Sequence, residues 1–205
     1  MDIYELISQD DTLKVCFKHV LKYNTSNNAP YHHFHHMMSV TKHLFKGISY
    51  YTELVDNYHT ILVAGMFHDM NHSMGKENDE YNVKQAIKSF EIFYGDNPFE
   101  NIDKDKVISM IKATQYPYVI PDKDLTLEQQ LIRDADLMMV LEPDWFQNIV
   151  LGLNVEMNVN DPKKVIEGNI EFHKNIKMRT KWGKELYKSE WDNVIKRFEN
   201  LRDIL

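Results

Sequence analysis

Helical spacing dominates the placement of apolar residues along this chain, and the elements it predicts are helices. Behind an Asp11 or Thr12 cap, Leu13, Val15, Cys16, Phe17, Val20 and Leu21 predict a first helix that ends in the turn-rich KYNTSNNAP. Pro30 then lets a second helix begin, over about 32–51, in which Met37, Thr41, Leu44, Phe45 and Ile48 form an i, i+3, i+4 stripe with His36 at its edge. The next, over about 57–68, carries Ile61, Leu62, Ala64, Gly65 and Phe67 on nearly every side, the pattern of a central buried helix. Further helices are predicted from about Asn78 to Tyr94, closed by Gly95 and Pro98, and around Val107, Ile108, Ile111 and Thr114, stopped by Pro117. PYVIPDKD has strand-like residues, but its two prolines make it a loop. A helix opened by Thr126 with Glu128 delivers Leu131, Ile132, Ala135, Leu137, Met138 and Val140. Pro143, Asp161-Pro162, Trp182-Gly183 and Ser189 then divide the remainder into about four helices. The expectation is one all-α domain, with a core over about 29–140 and a C-terminal helical part over about 143–205.

Chemistry concentrates where the buried helix stops. In VAGMFHDMNHSMGKENDE, His68 and Asp69 are adjacent, so they project roughly 100° apart and can approach one cation from two sides. His72, one turn on, overhangs the same face as His68. Upstream lies Tyr31-His32-His33-Phe34-His35-His36, and downstream lies Asp134-Ala135-Asp136-Leu137 in an apolar setting, where a buried carboxylate needs a partner such as a cation.

The order His36, His68-Asp69, Asp136 resembles the H…HD…D ligand set of the HD superfamily of metal-dependent phosphohydrolases. YHHFHHMMSV is similar to the Y-H-N-x-x-H motif of the cyclic-nucleotide phosphodiesterases, FHDMNHSMG to their H-D-x-x-H-P-G, and the ordered set also resembles small uncharacterised bacterial HD proteins. The resemblance implies an all-helical HD fold, with His36, His68, Asp69 and Asp136 as metal ligands and Asp69 able to bridge two ions. Two imidazoles and two carboxylates suit Mn, Zn, Fe or Co, and a second, mostly water-held ion would be Mg or Mn. It also implies His32 as the general acid for the leaving alkoxide, His72 as a hydrogen-bonding partner of the site's water, and Asn78 and Glu80 as polar groups facing the substrate. From spacing alone Asn78 is equally a helix cap with Glu80 in the first turn. Departures are visible: His33 stands for the Asn of Y-H-N, Ser73-Met74-Gly75 for P-G, and Thr114-Gln115-Tyr116 where many relatives carry T-x-H. No histidine lies between His72 and His173. His33 and His35 should point away from the site, and His19, His43, His59 and His173 have no partner at ligand spacing.

Charge and composition narrow the function. A formal net charge of −7 argues against general binding to duplex nucleic acid, which needs a positive footprint. From Asp161 onward, however, 11 Lys or Arg face 8 Asp or Glu, so the tail carries +3 and the rest −10. Lys174, Lys177, Arg179, Lys181, Lys184 and Lys188 read as a solvated face or, for Lys177 and Arg179 in particular, as a rim guiding a substrate's phosphates. One cysteine, Cys16, cannot bridge internally and fits a reducing cytosol. The acidic N-terminus is not a signal peptide, and Ile61 to Phe67 is too short to cross a bilayer. The expectation is a cytoplasmic phosphohydrolase acting on a phosphoester in a nucleotide, with a cyclic nucleotide or signalling oligonucleotide favoured. The alternatives are a nucleoside mono- or triphosphate hydrolase, or a metal-binding regulatory module without turnover.

Overall fold

Asp2 and Asp10 open the first two helices, α1 (Ile3–Gln9) and α2 (Asp11–Tyr23), by accepting the N–H groups of Glu5 and Leu13. α1 was not among the predicted elements, and the cap of α2 is Asp10 rather than Asp11 or Thr12, because Asp10 is the residue whose extended backbone turns its carboxylate back onto the helix. There follow α3 (Phe34–Ile48), α4 (Tyr58–Phe67), α5 (Asp79–Asp96), α6 (Lys104–Thr114), α7 (Leu127–Asp136), α8 (Asn154–Glu156), α9 (Pro162–Asn175) and α10 (Lys181–Ile204). This computed structural model describes residues 1–159 and 161–204; Asn160 and Leu205, both in the predicted C-terminal part, lie outside the described residues. The chain is all-helical and compact, and no strand occurs among the described residues.

α4 is the centre. Every residue from Thr60 to Phe67 is buried, and α2, α3, α5, α6 and α7 surround the helix. Phe67 packs against Phe90 and Phe93 at ring-centroid distances of 5.5 and 5.1 Å. Each such side chain contributes about 1.5–3 kcal/mol on burial, so α4 is anchored on all sides. Its C-terminal end, carrying His68 and Asp69, therefore stops inside the protein rather than at its surface.

Several boundaries differ from the sequence expectation. α3 begins at Phe34, not 32, because the N–H groups of Tyr31 and His32 go to the Glu156 carboxylate at 2.6 and 2.9 Å. His33 caps the helix instead, its Nδ1 accepting the His36 N–H at 3.2 Å. α5 continues through Gly95, and Asn97 rather than a glycine ends it. The capping box of α7 pairs Thr126 with Gln129, not with Glu128, and after Asp136 the chain tightens into a 3-10 turn, Leu137–Leu141, rather than continuing as α-helix. Beyond it a π-helical segment, Phe146–Leu153, runs on into α8.

The breaks expected at Trp182-Gly183 and Ser189 do not occur, since α10 passes through both. Ser189 donates its hydroxyl to the Leu186 carbonyl at 2.7 Å, and Gly183 is required for space: a Cβ there would collide with the Asp134 carboxylate. Asp134 is buried at the junction of α7 and α10, where it accepts the Arg179 N–H at 2.9 Å and the Thr180 N–H and hydroxyl at 2.7 Å each. Its sequence neighbour Arg133 turns away to the Ala113 carbonyl and to Asp122. Gly183→Ala should therefore displace a satisfied buried carboxylate and cost roughly 1–3 kcal/mol, read as a lower denaturant midpoint.

A second buried ionic group ties α3 to the turn after Leu141. Glu142 lies 2.6 Å from the Lys42 ammonium and 2.7 Å from His43 Nε2, and the imidazole beside it, followed by Lys42, outweighs burial and lowers its pKa to about 2. Burial pushes the His43 pKa down. A carboxylate held below its ordinary 4.5 contributes stability that is complete above that pH and is lost as pH falls toward 2. Glu142→Gln should cost roughly 1–3 kcal/mol at neutral pH, and urea titrations should show the difference from the parent shrinking through that acid window.

Candidate metal centre

Three elements deliver four side chains to one point. His36 comes from the first turn of α3, His68 and Asp69 from the end of α4, and Asp136 from the last residue of α7. His36 Nε2 lies 3.3 Å from His68 Nε2, 3.2 Å from Asp69 Oδ2 and 3.1 Å from Asp136 Oδ1. His68 Nε2 lies 3.1 Å from Asp69 Oδ2 and 3.4 Å from Asp136 Oδ1. The four donor atoms all lie within 4.8 Å of one another, a spacing that can surround one metal ion.

The electrostatics agree with a cation. Both imidazoles are fully buried, which disfavours their charged form, yet Asp69 and Asp136 more than offset this and raise the pKa of His36 and, further, of His68. Burial would raise the two carboxylates, but the imidazoles hold both well below the usual range. Two carboxylates thus create a site in which positive charge is stable despite burial. His68 Nδ1 donates to the Gly65 carbonyl at 2.8 Å, which fixes the ring and leaves Nε2 as the ligand atom. The histidines are closed off at about 1% exposure while the Asp69 and Asp136 side chains are 14% and 26% exposed, so the cluster opens on its carboxylate side.

A second constellation adjoins it. His32 precedes α3 rather than sitting on it, and its ring lies 5.7 Å from that of His36. Its Nδ1 is hydrogen-bonded to Glu156, whose other oxygen takes the Tyr31 and His32 N–H groups. Burial would raise the Glu156 pKa, but these bonds and the His32 charge lower it to about 2. The His32 ring stacks on His72 at 3.8 Å. Burial, then the proximity of His32, lowers the His72 pKa to about 4, so His72 is neutral. Its Nδ1 accepts the Met74 N–H at 3.1 Å and its Nε2 meets the Asn82 amide at 2.8 Å. His32, His72 and Glu156 are close enough together to hold a cation, as are the four residues above. Both His72 nitrogens, however, are already engaged outside the trio by Met74 and Asn82. Gly75, at φ +75°, lets the loop after His72 press onto the Glu156 carbonyl where a Cβ would collide.

The other predicted residues make contacts of their own within the fold. Asn78 caps α5 by accepting the Tyr81 N–H at 2.9 Å, and Glu80 pairs with Lys84 at the surface. Arg179 is not a free cation: its Nε lies 2.9 Å from Asp122, its Nη1 donates to the Lys177 carbonyl, and its side chain is 8% exposed. The Lys177 residue is exposed, while Lys174 and Lys181 pair with Glu199 and Glu185. His35 meets Asp144 at 2.8 Å, His59 meets Asp10 at 2.7 Å, and His173 bonds the Tyr187 hydroxyl at 2.8 Å, so none joins the centre. Sequence reasoning missed Glu156 and Asn82, neither of which carries a local motif. It also passed over Asp79, between two residues it chose, whose pKa burial and the charges of Asp69 and Asp136 raise.

No family model, curated protein or solved structure matches the chain. Among the described residues no helix is long and apolar enough to cross a membrane. The centre itself is testable. Protein given Zn or Mn should bind one ion per chain in this cluster, and Asp69→Ala should weaken that binding by at least roughly 100-fold, beyond what loss of an outer-shell partner costs. Unchanged affinity in a variant of native circular dichroism would remove the cluster as a metal site.

Proposed function

We propose that the chain is a metal-dependent phosphohydrolase of the HD type that cleaves a phosphoester in a nucleotide, with a cyclic nucleotide or signalling oligonucleotide as the favoured class. The observation that carries this reading is the pairing of a four-ligand centre with a carboxylate-held imidazole next to it. A divalent cation, once bound, would supply positive charge for the phosphoryl oxygens and lower the pKa of water at the site. It also explains how a chain of net charge −7 admits an anionic substrate.

The protein's own groups divide the remaining work. His36, His68, Asp69 and Asp136 would hold the cation, and the two carboxylates line the open side. Glu156 takes the Nδ1 hydrogen of His32, which orients the ring and leaves Nε2 to carry a proton to the departing oxygen. His72, neutral and stacked on His32, keeps one face of that ring dry without adding a competing positive charge. Asn82 fixes His72 through one ring nitrogen and accepts the Ser73 N–H at 2.9 Å, so the loop between α4 and α5 stays in register with the site.

With Mn added, the protein should turn over one class among cyclic nucleotides, cyclic dinucleotides, nucleoside mono- and triphosphates and a bis(nitrophenyl) phosphate. His32→Ala should bind metal normally and lose about 10²- to 10⁴-fold in rate on a substrate with an alkoxide leaving group, and far less on the nitrophenyl ester. Loss of metal from this variant would make His32 a ligand. Turnover of nucleoside triphosphates alone would favour the second enzyme class, and stoichiometric metal with no turnover would favour a regulatory module.

A further inference from the structure

The loop from Gln115 to Asp124 is fastened at both flanks of the centre. On one side the Tyr116 N–H donates to Asp79 at 2.6 Å. Asp79 lies one turn before Asn82 on α5, and Asn82 bonds His72, so this end of the loop sits beside the His72–His32 stack. On the other side the Tyr118 ring lies 4.1 Å from the Arg133 guanidinium and 4.5 Å from that of Arg179. Arg133 is one turn before Asp136 on α7, which places Tyr118 next to the more open of the two carboxylates. Asp122 closes the loop by meeting both arginines, at 3.2 and 2.9 Å.

Between these anchors Tyr116 stands out of the protein at 57% exposure, with its ring at 89° and 5.5 Å to that of Tyr118. An exposed aromatic is ordinary; one whose backbone is held by Asp79 and whose ring rests on a second aromatic braced by buried guanidinium groups is pre-positioned. We infer that Tyr116, backed by Tyr118, is the surface on which the planar base of a nucleotide stacks while its phosphate occupies the metal centre. The inference rests on the phosphohydrolase reading of that centre and adds to it the residue that prefers nucleotides over other phosphoesters. Stacking suits the position because every base offers a π face, and a loop already anchored at Asp79 and by Asp122 has less freedom to lose on binding.

Calorimetric titration of the Mn-loaded protein with adenosine 5′-monophosphate and with ribose 5-phosphate tests it. The parent should bind the nucleotide more tightly, Tyr116→Ala should weaken nucleotide binding by roughly 5- to 100-fold while leaving ribose 5-phosphate unchanged, and Tyr116→Phe should retain parental affinity. Equal affinity of the parent for both ligands, or an equal loss for both in Tyr116→Ala, would overturn the base subsite while leaving metal-dependent phosphoester cleavage standing. Tyr116-dependent nucleotide binding without turnover of any phosphoester would support the subsite and sink the hydrolase reading.

Discussion

Two carboxylates, each 3.1–3.4 Å from both of two imidazole nitrogens in a largely buried pocket, require positive charge among them. That requirement organises the molecule. Asp69 cannot be presented from a surface helix end without water screening it, so α4 is packed on all sides and terminates internally. Asp136 reaches the same point because α7 stops there and tightens into a 3-10 turn, which ends the helix without carrying the backbone past the site. The apolar burial of α4, α6 and α7 thereby fixes the donor atoms against their mutual repulsion.

Long-range ties then fasten the less regular segments to this framework. Glu156 binds the two peptides ahead of α3 and the ring of His32, from a position more than a hundred residues away in sequence. The π-helical stretch before it packs Gly152 directly on the Pro30 carbonyl, so the segment bearing Glu156 and the one bearing His32 meet at two places. π-helical turns are uncommon and recur near functional sites, and here the widened turn belongs to the element that delivers Glu156.

On the opposite flank, Asp134 and Asp122 do comparable work for the C-terminal helices. Asp134 faces away from Asp136 and anchors the backbone at Arg179 and Thr180, which sets the start of α10. Asp122 gathers the Arg133 and Arg179 side chains, and the Tyr118 ring packs against both. The basic stretch of the tail is thus partly spent inside the structure, where burial makes each pairing matter more than it would in solvent.

What the sequence by itself determined is whatever depends on neighbours along the chain. Periodicity located the helices from α2 to α7, because a buried stripe repeats every 3.6 residues, and the adjacency of His68 and Asp69 at the end of an apolar run marked the centre. Spacing also allowed Asn78 its capping role. What only the tertiary structure decided involves groups distant in sequence: Glu156 on His32, Asn82 on His72, Asp79 on the Tyr116 backbone, and Asp134 against Gly183. Those same contacts explain the misread boundaries. A carboxylate from α8 takes the N–H groups that would have started α3 early, and a glycine that looks like a helix breaker is there to make room for a buried acid on another helix. A hydrogen bond across more than a hundred residues leaves no period in the sequence, and space needed by a neighbouring element is invisible until that neighbour is in place.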